Sequence, residues 1–518
     1  AITFLSTPGQ AYTDGMRFIQ FYFGLPIAMI ILSVTFLPIF YKLKVYTAYE
    51  YLETRFDLKT RTLAAFLFLI QRGLATGITI YAPSIILSTL LNWNLTLTNI
   101  FIGLLVILYT VSGGTKAVTQ TQKQQMAVMM GGMILAGILV INMLPNNISF
   151  LDAVNVAGKM GKLNLVNFDF DLDDRYNFWT GTTAALFLFL SYFGTDQSQV
   201  QRYLTGKSLA QSRLGLIMNG LLKIPMQLII LFIGVMVFVF YQFNTPPIFF
   251  NKVELNNIKS SNYSEEVNNL EKKFKVLHDK KTVDIYSLLD AQKNEDKFRV
   301  QELKRSVLNI ESKMQEINSN VKTIVMKNNP SAETNDKYYI FMSYVIDYLP
   351  KGIIGLLFAV MFSAAMSSTA SELNALASTT TIDIYKRSVK KKENDRHYLM
   401  LSKYFTLLWG VLAILFATTA SLFENLIQAV NLLGSLFYGT ILGIFVVAFY
   451  FKNVKSNAVF YCAIAAEIMV VSIHFLNHYQ LAPNWLQMGY LWYNVVGCLL
   501  VILFAALTQK IINLQKAI

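Results

Sequence analysis

Apolar runs about one bilayer long, separated by short polar links, make up most of this 518-residue chain. Eleven stretches read as spanning helices: 16–40, 64–91, 98–112, 126–144, 178–194, 214–241, 353–380, 398–420, 426–451, 458–475 and 490–508. Most lie near the ~20 residues that a bilayer requires. Residues 1–15 open in an apolar run too short to span, without the basic region and small-residue cleavage site of a signal peptide. They predict the outer half of a further helix whose upstream part precedes Ala1.

Between 246 and 337 the pattern changes period. Leu270, Phe274 and Leu277 stand at i, i+4, i+7, and Val307, Ile310, Met314, Ile317 and Val321 alternate steps of three and four. The surrounding residues are charged, which predicts two amphipathic helices in a solvated hairpin inserted into the bundle.

One apolar stretch turns polar at its centre. Gly352–Lys386 begins as an ordinary membrane helix, then presents Ser363, Ser367, Ser368, Thr369, Ser371 and Asn374 among alanines. A helix in lipid satisfies its own backbone, so these hydroxyls are not needed for folding. Small residues allow close helix approach, and stacked hydroxyl oxygens suit a small hard cation. The competing account is a tightly packed helix whose hydroxyls bond back to their own turn.

Composition agrees with a polytopic membrane protein: 54% hydrophobic residues, 14% charged and a mean hydropathy of +0.44, against roughly 25% charged in soluble domains. The net charge of +13 collects in alternate short loops, around Lys42–Arg61, Lys116–Lys123, Arg202–Arg213, Lys386–Arg396, Lys452–Lys455 and Lys510–Lys516. Such loops are cytoplasmic, so the charge does not point to nucleic acid. The C-terminus falls on the same side, and parity puts the 246–337 insertion outside. Two cysteines in apolar spans and four scattered histidines form no disulfide framework or metal motif, and no nucleophile–base set suggests an enzyme.

Interrupted helices mark transport sites. Ser6-Thr7-Pro8-Gly9 is one expected break and Gly194-Thr195-Asp196-Gln197 a second. They fall in the first helix of each half of a five-plus-five arrangement.

Five motifs in order carry a resemblance to the sodium:solute symporter family. Thr47–Phe56 looks like its first cytoplasmic loop. Gly77–Pro83 is similar to core helix three of monocarboxylate, multivitamin and iodide carriers. Gly113–Val118 resembles the turn before core helix five, Gly194–Leu204 the cytoplasmic end of core helix six, and Ala364–Tyr385 core helix eight. The resemblance implies an all-α LeuT-type inverted repeat over 1–451 with a partial first helix, the 246–337 insertion within it, and two extra helices and a cytoplasmic tail over 452–518. It implies sodium as coupling ion, held by the Ala364 carbonyl and the Ser367 and Ser368 hydroxyls, with further ligands upstream of Ala1. It also implies a small-molecule substrate and a multi-pass protein of the cell membrane. The chain departs from relatives that bind an additional sodium: Gln122 follows Thr121 where they carry Asp, and Ala370 precedes Ser371 where they carry a second hydroxyl pair. One sodium per cycle is expected, because losing the only formal negative charge weakens a buried cation site.

Ionisable residues inside membrane helices are functional candidates. Arg72 has a fork suited to a substrate carboxylate, or to carbonyls of a broken helix. Lys223 matches a lysine near substrate in sugar carriers, or snorkels to the cytoplasmic face. Glu372 is expected to pair with a cation on a neighbouring helix, and Glu467 to act as a structural hydrogen-bonding group. Substrate candidates are Ser6, Thr7, Arg72, Tyr81, Tyr192, Lys223 and Ser435, with Tyr12 and Tyr438 as possible stacking or gating rings. Asp196 and Gln197 are expected to order the end of helix six, Asp196 with Arg202 or Lys207. The expected activity is sodium-driven import of a sugar or small carboxylate by alternating access. The alternatives are a membrane sensor on a transport fold and a proton-coupled carrier using Glu372.

Overall fold

The computed structural model describes residues 2–43, 45–91, 93–113, 115–204, 206, 208–330, 332–390, 393–419 and 426–517, without the side chains of Leu5, residues 113–123 and residues 516–517. Among the described residues there are helices and links and no strand. Ten stretches are long and apolar enough to cross a membrane, and Thr180–Gly194 is a shorter apolar helix beside them.

In chain order the first half comprises α1 (Ile2–Asp14), a 3-10 run Gly15–Tyr22, α2 (Leu25–Val34), α3 (Phe36–Leu43), α4 (Glu50–Arg55), α5 (Leu58–Leu91), α6 (Leu95–Gly113), α7 (Thr115–Asn142) and α8 (Phe150–Lys159). A π turn, Thr180–Ala184, then leads into α9 (Ala185–Gly194), followed by α10 (Gln197–Leu204) and α11 (Leu209–Phe243). The intervening piece holds α12 (Lys252–Lys259), α13 (Ser264–Lys293), α14 (Lys297–Asn328) and α15 (Lys337–Tyr348). The remainder is α16 (Lys351–Thr379), continued by a π turn to Tyr385 and α17 (Lys386–Ser388), then α18 (Asp395–Ala417), α19 (Leu426–Tyr450), α20 (Ser456–His478) and α21 (Tyr493–Ala517).

Although Ile2–Leu43 is apolar throughout, it is not one rod. Along α11, Pro8 approaches Gly234 and the Tyr12 ring meets Phe238 and Tyr241. After that the contacts run backwards: Tyr22 accepts a hydrogen bond from Gln227 at 3.1 Å, and the Ser33 carbonyl accepts one from Arg213 at 2.9 Å. The chain therefore reverses after α1. The turn falls at Gly15, whose φ of +75° is a conformation that a side chain would strain.

The expected break at Ser6–Gly9 is absent: α1 is helical from Ile2 to Asp14 with Pro8 inside it. Proline has no N–H for the Phe4 carbonyl, and close packing of Pro8 on Gly234 of α11 holds the turn in place. The break at Thr195–Asp196 is present. There α9 stops, and Asp196 Oδ1 accepts from the Ser198 N–H and hydroxyl at 2.9 and 2.6 Å, capping α10. Gln197 folds back onto the first loop, accepting from the Ala48 N–H at 3.0 Å and donating to the Tyr46 carbonyl at 3.2 Å.

The amphipathic residues of 264–328 form α13 and α14. Their facing sides bury Phe274, Ile310, Met314, Ile317 and Val321, each contributing roughly 1.5–3 kcal/mol over exposure. The pair stands on the end of α11, where His278 Nε2 meets the Tyr241 carbonyl at 2.9 Å and Thr282 donates to the Gln242 carbonyl at 2.8 Å. α15 then returns along α1, with Phe341 edge-on to Phe4. At the opposite, lysine- and arginine-rich end, Arg61 joins Asp383 at 2.6 Å and Glu53 at 2.8 Å, and Arg387 also pairs with Glu53. These pairs bind the first loop to the end of α16.

Candidate functional site

The hydroxyl-rich turn of α16 is continuous helix. Ser368 Oγ donates to the Ala364 carbonyl at 3.0 Å and Thr369 Oγ1 to the Ala365 carbonyl at 3.0 Å, while Ser367 is buried. Back-bonding of this kind is what the packing account expects. It uses each hydroxyl's proton and leaves oxygen lone pairs, so the Ala364, Ser367 and Ser368 oxygens remain a hard donor set compatible with sodium. The Thr121 and Gln122 side chains lie outside the described residues.

Next to this turn lies a buried charge cluster drawn from four helices. Arg72 on α5 is 1% exposed. Its Nη2 pairs with Asp196 Oδ2 at the α9–α10 break and donates to the Tyr438 hydroxyl on α19 at 2.8 Å. Its Nη1 stands 3.3 Å from Glu372 Oε1 on α16. Tyr438 donates to Asp196 Oδ2 at 2.8 Å, and the Arg72 guanidinium lies 5.5 Å from the centre of the Tyr192 ring. Burial of these charges is tolerable only because each is paired and hydrogen-bonded. Glu372 thus has the cationic partner expected of it. Asp196 pairs with Arg72 and not with Arg202, which instead donates to Ser371 Oγ at 3.2 Å; Lys207 lies outside the described residues. The Arg72 fork faces two carboxylates of its own chain, which leaves it no open fork for a substrate in this conformation.

A cavity of about 670 Å³ runs from this cluster toward the basic end, between α2, α9, α10, α11 and α19. Its inner wall is aromatic, with Phe21, Tyr22, Phe189, Tyr192, Phe193 and Tyr438. Asn219, Asn431 and Gln199 supply neutral polar groups, and its charged side chains are Arg202 and Lys223 with no carboxylate. Lys223 shares a helical face with the buried Leu216, Gly220 and Gln227, while Leu221 and Leu222 are exposed on the other side. Its ammonium therefore points into the bundle, 5.6 Å from the centre of the Tyr22 ring. Among the described residues it has no carboxylate partner.

The other sequence candidates scatter. Tyr192 lines the cavity. Ser6 and Thr7 are buried on α1, but the cavity reaches that helix at Thr3. Thr7 Oγ1 has no hydrogen-bond partner among the described residues. Ser435 faces α21, accepting from Asn494 at 2.8 Å, because the small residues of α19 there pack against α21. Tyr81 donates to Glu333 at 2.5 Å beneath the insertion. Tyr12 packs among Phe238, Tyr241 and Phe250. Sequence reasoning missed Thr79 and Phe189. Aromatics at 189, 192 and 193 have the i, i+3, i+4 spacing of one helix face, but that spacing reads equally as packing.

Comparison with known proteins follows this geometry. The model of the sodium:solute symporter family matches residues 1–263 and 323–466. The gap between these segments corresponds to α13 and most of α14. Sodium-coupled monocarboxylate transporter 1 of Xenopus laevis is 27% identical over 466 residues, 88% of this chain and 60% of that protein. The human sodium/iodide cotransporter is 32% identical over 246 residues, 46% of this chain and 37% of that protein. The chain thus spans 60% or less of these relatives' lengths. A solved Na+-coupled sialic acid symporter, substrate-bound and outward-open, superposes with a TM-score of 0.71 at 21% identity, over 98% of this chain and 86% of that one. That likeness shows the fold.

Proposed function

Because this chain belongs to the sodium:solute symporter family, we propose that it is a sodium-coupled secondary active importer of a small organic anion, working by alternating access. The observation that carries the substrate class is Lys223: an ammonium turned into an aromatic cavity that holds no carboxylate. A cation facing a membrane-interior cavity without a counter-ion is costly, and an anionic ligand lowers that cost. The surrounding rings offer apolar surface to the body of such an anion. Short monocarboxylates are the first solutes to test, since the transporters similar to this chain include monocarboxylate carriers. Arg72, the other expected anion partner, is committed to Asp196 and Glu372.

Sodium binds at the Ala364 carbonyl and the Ser367 and Ser368 hydroxyls, one ion per cycle, with its remaining ligands outside α16. Its binding favours the outward-facing arrangement, and its release toward the cytoplasm frees the solute. Coupling requires different sodium affinities in the two arrangements. The cavity lining reaches Arg202, Gly206 and Gln211 at the basic α10–α11 link, which is cytoplasmic if short basic loops stay inside. The described conformation is then inward-facing, the C-terminus is cytoplasmic, and α13–α14 stand outside the cell membrane. The ten-helix core covers 1–451, with 452–518 adding two helices and a tail. A proton-coupled carrier using Glu372 is disfavoured by the pairing of that acid with Arg72.

The test is uptake into proteoliposomes. Labelled propionate and lactate should accumulate with an inward sodium gradient and not with choline, while galactose should not. Lys223→Met should raise KM for the anion roughly 10- to 100-fold, the scale of a lost charge-assisted hydrogen bond of ~1.5–3 kcal/mol. Sodium-driven uptake of galactose in place of the acids would overturn the anion assignment. Uptake indifferent to sodium would overturn the symport itself.

A further inference from the structure

Between the sodium turn of α16 and the cavity wall runs an unbroken line of buried hydrogen-bonding groups. Thr369, the residue after Ser368, lies 3.2 Å from Thr79 Oγ1 on α5. Thr79 lies 3.1 Å from Glu372 Oε2, and Glu372 pairs through its other oxygen with Arg72. Arg72 holds Asp196 and Tyr438, and the Tyr438 and Tyr192 rings form the cavity wall. Thr79 and Thr369 are 8% and 0% exposed.

Each threonine has one proton and two acceptors. Thr369 Oγ1 lies 3.0 Å from the Ala365 carbonyl as well as near Thr79, and Thr79 Oγ1 lies 2.8 Å from the Thr76 carbonyl as well as near Glu372. The pair therefore has two hydrogen-bond arrangements. In one, both hydroxyls bond back onto their own helices. In the other, the protons point along the line toward Glu372. A cation held by the oxygens just before Thr369 turns hydroxyl protons away from itself and favours the second arrangement. Glu372 then accepts a stronger bond from Thr79 and holds Arg72 less tightly, which alters the grip of Arg72 on Tyr438 and on the α9–α10 break. We propose that the Thr369–Thr79–Glu372–Arg72–Tyr438 line is the positioning element through which sodium on α16 sets the shape of the solute cavity.

This inference rests on the sodium assignment made above, and it is testable without knowing the solute. Cys462 and Cys498 are both buried. Gly215 lines the cavity, and a Cβ there meets nothing within 4 Å. In the full chain carrying Gly215→Cys, maleimide labelling in sodium chloride should be slower than in choline chloride, by about five-fold if coupling lies at the lower end of its ordinary range. Adding Thr79→Val should bring that ratio close to one while leaving the choline rate unchanged, Glu372→Gln should bring it close to one by moving the choline rate toward the sodium rate, and Thr79→Ser, which keeps the hydroxyl, should restore it. If Thr79→Val and Glu372→Gln respond to sodium as the parent does, or if Thr79→Ser loses the response together with Thr79→Val, the line is not the coupling element. A parent reporter indifferent to sodium would overturn the sodium assignment and this inference together.

Discussion

At the scale of single residues, the deciding fact is which charges already have partners. Arg72 and Lys223 look alike in sequence, each a basic residue in an apolar helix. One faces two carboxylates and the other faces a cavity. Removing the first should cost stability: Arg72→Met leaves Asp196 and Glu372 buried without their cation, a loss of about 3–5 kcal/mol readable as a lower unfolding temperature. Lys223→Met should leave that temperature unchanged or raise it. Glu333 adds a pH effect beneath the insertion. Burial pushes its carboxyl up to about 7, against the bonds from Tyr81 and the Asn335 N–H. An acid whose folded value lies above its unfolded one takes up a proton on folding. Its stabilising contribution is full below the unfolded value and is lost as pH rises through about 7. Thermal unfolding should therefore fall in temperature between about pH 5 and 8, and Glu333→Gln should flatten that slope.

At the scale of elements, close backbone approaches set which helices move together. Gly9 of α1 lies so near α15 that a Cβ would stand 2.0 Å from the Lys337 carbonyl oxygen. Gly→Ala ordinarily favours a helix by up to ~1 kcal/mol. Here Gly9→Ala should instead destabilise by roughly 1–3 kcal/mol, because backbone has to shift; denaturation of the purified variant would show the sign. The amphipathic hairpin was legible from its three-and-four spacing, since apolar periodicity reports which side of a helix is buried. The apolar run of residues 2–43 divides at residue 15, as expected of a first apolar stretch too short to span. The break expected at Ser6–Gly9 did not form, because packing of Pro8 against Gly234 of α11 holds the turn helical.

At the scale of the whole molecule, the fold and the family agree. Simultaneous tracer fluxes of sodium and solute should give a ratio near one if sodium binds only at the α16 turn; a ratio of two would require a further ion site. A tag after residue 517 should resist external protease in sealed right-side-out vesicles, while α13 and α14 are cleaved.

The membrane class, the order of helices, the inserted hairpin and the hydroxyl-rich turn of α16 were all determined by the sequence, because each depends on spacing along one chain. The tertiary structure alone decided that Arg72 serves the protein's own carboxylates, that Ser435 faces an extra helix, that Lys223 enters a cavity without acids, and that two threonines bridge α5 and α16. Each of these is a meeting between residues far apart along the chain, from 59 positions for Ser435 and Asn494 to 300 for Arg72 and Glu372. Charge neutrality and hydrogen-bond satisfaction in a low-dielectric interior are settled by such meetings, and local pattern contains no record of them.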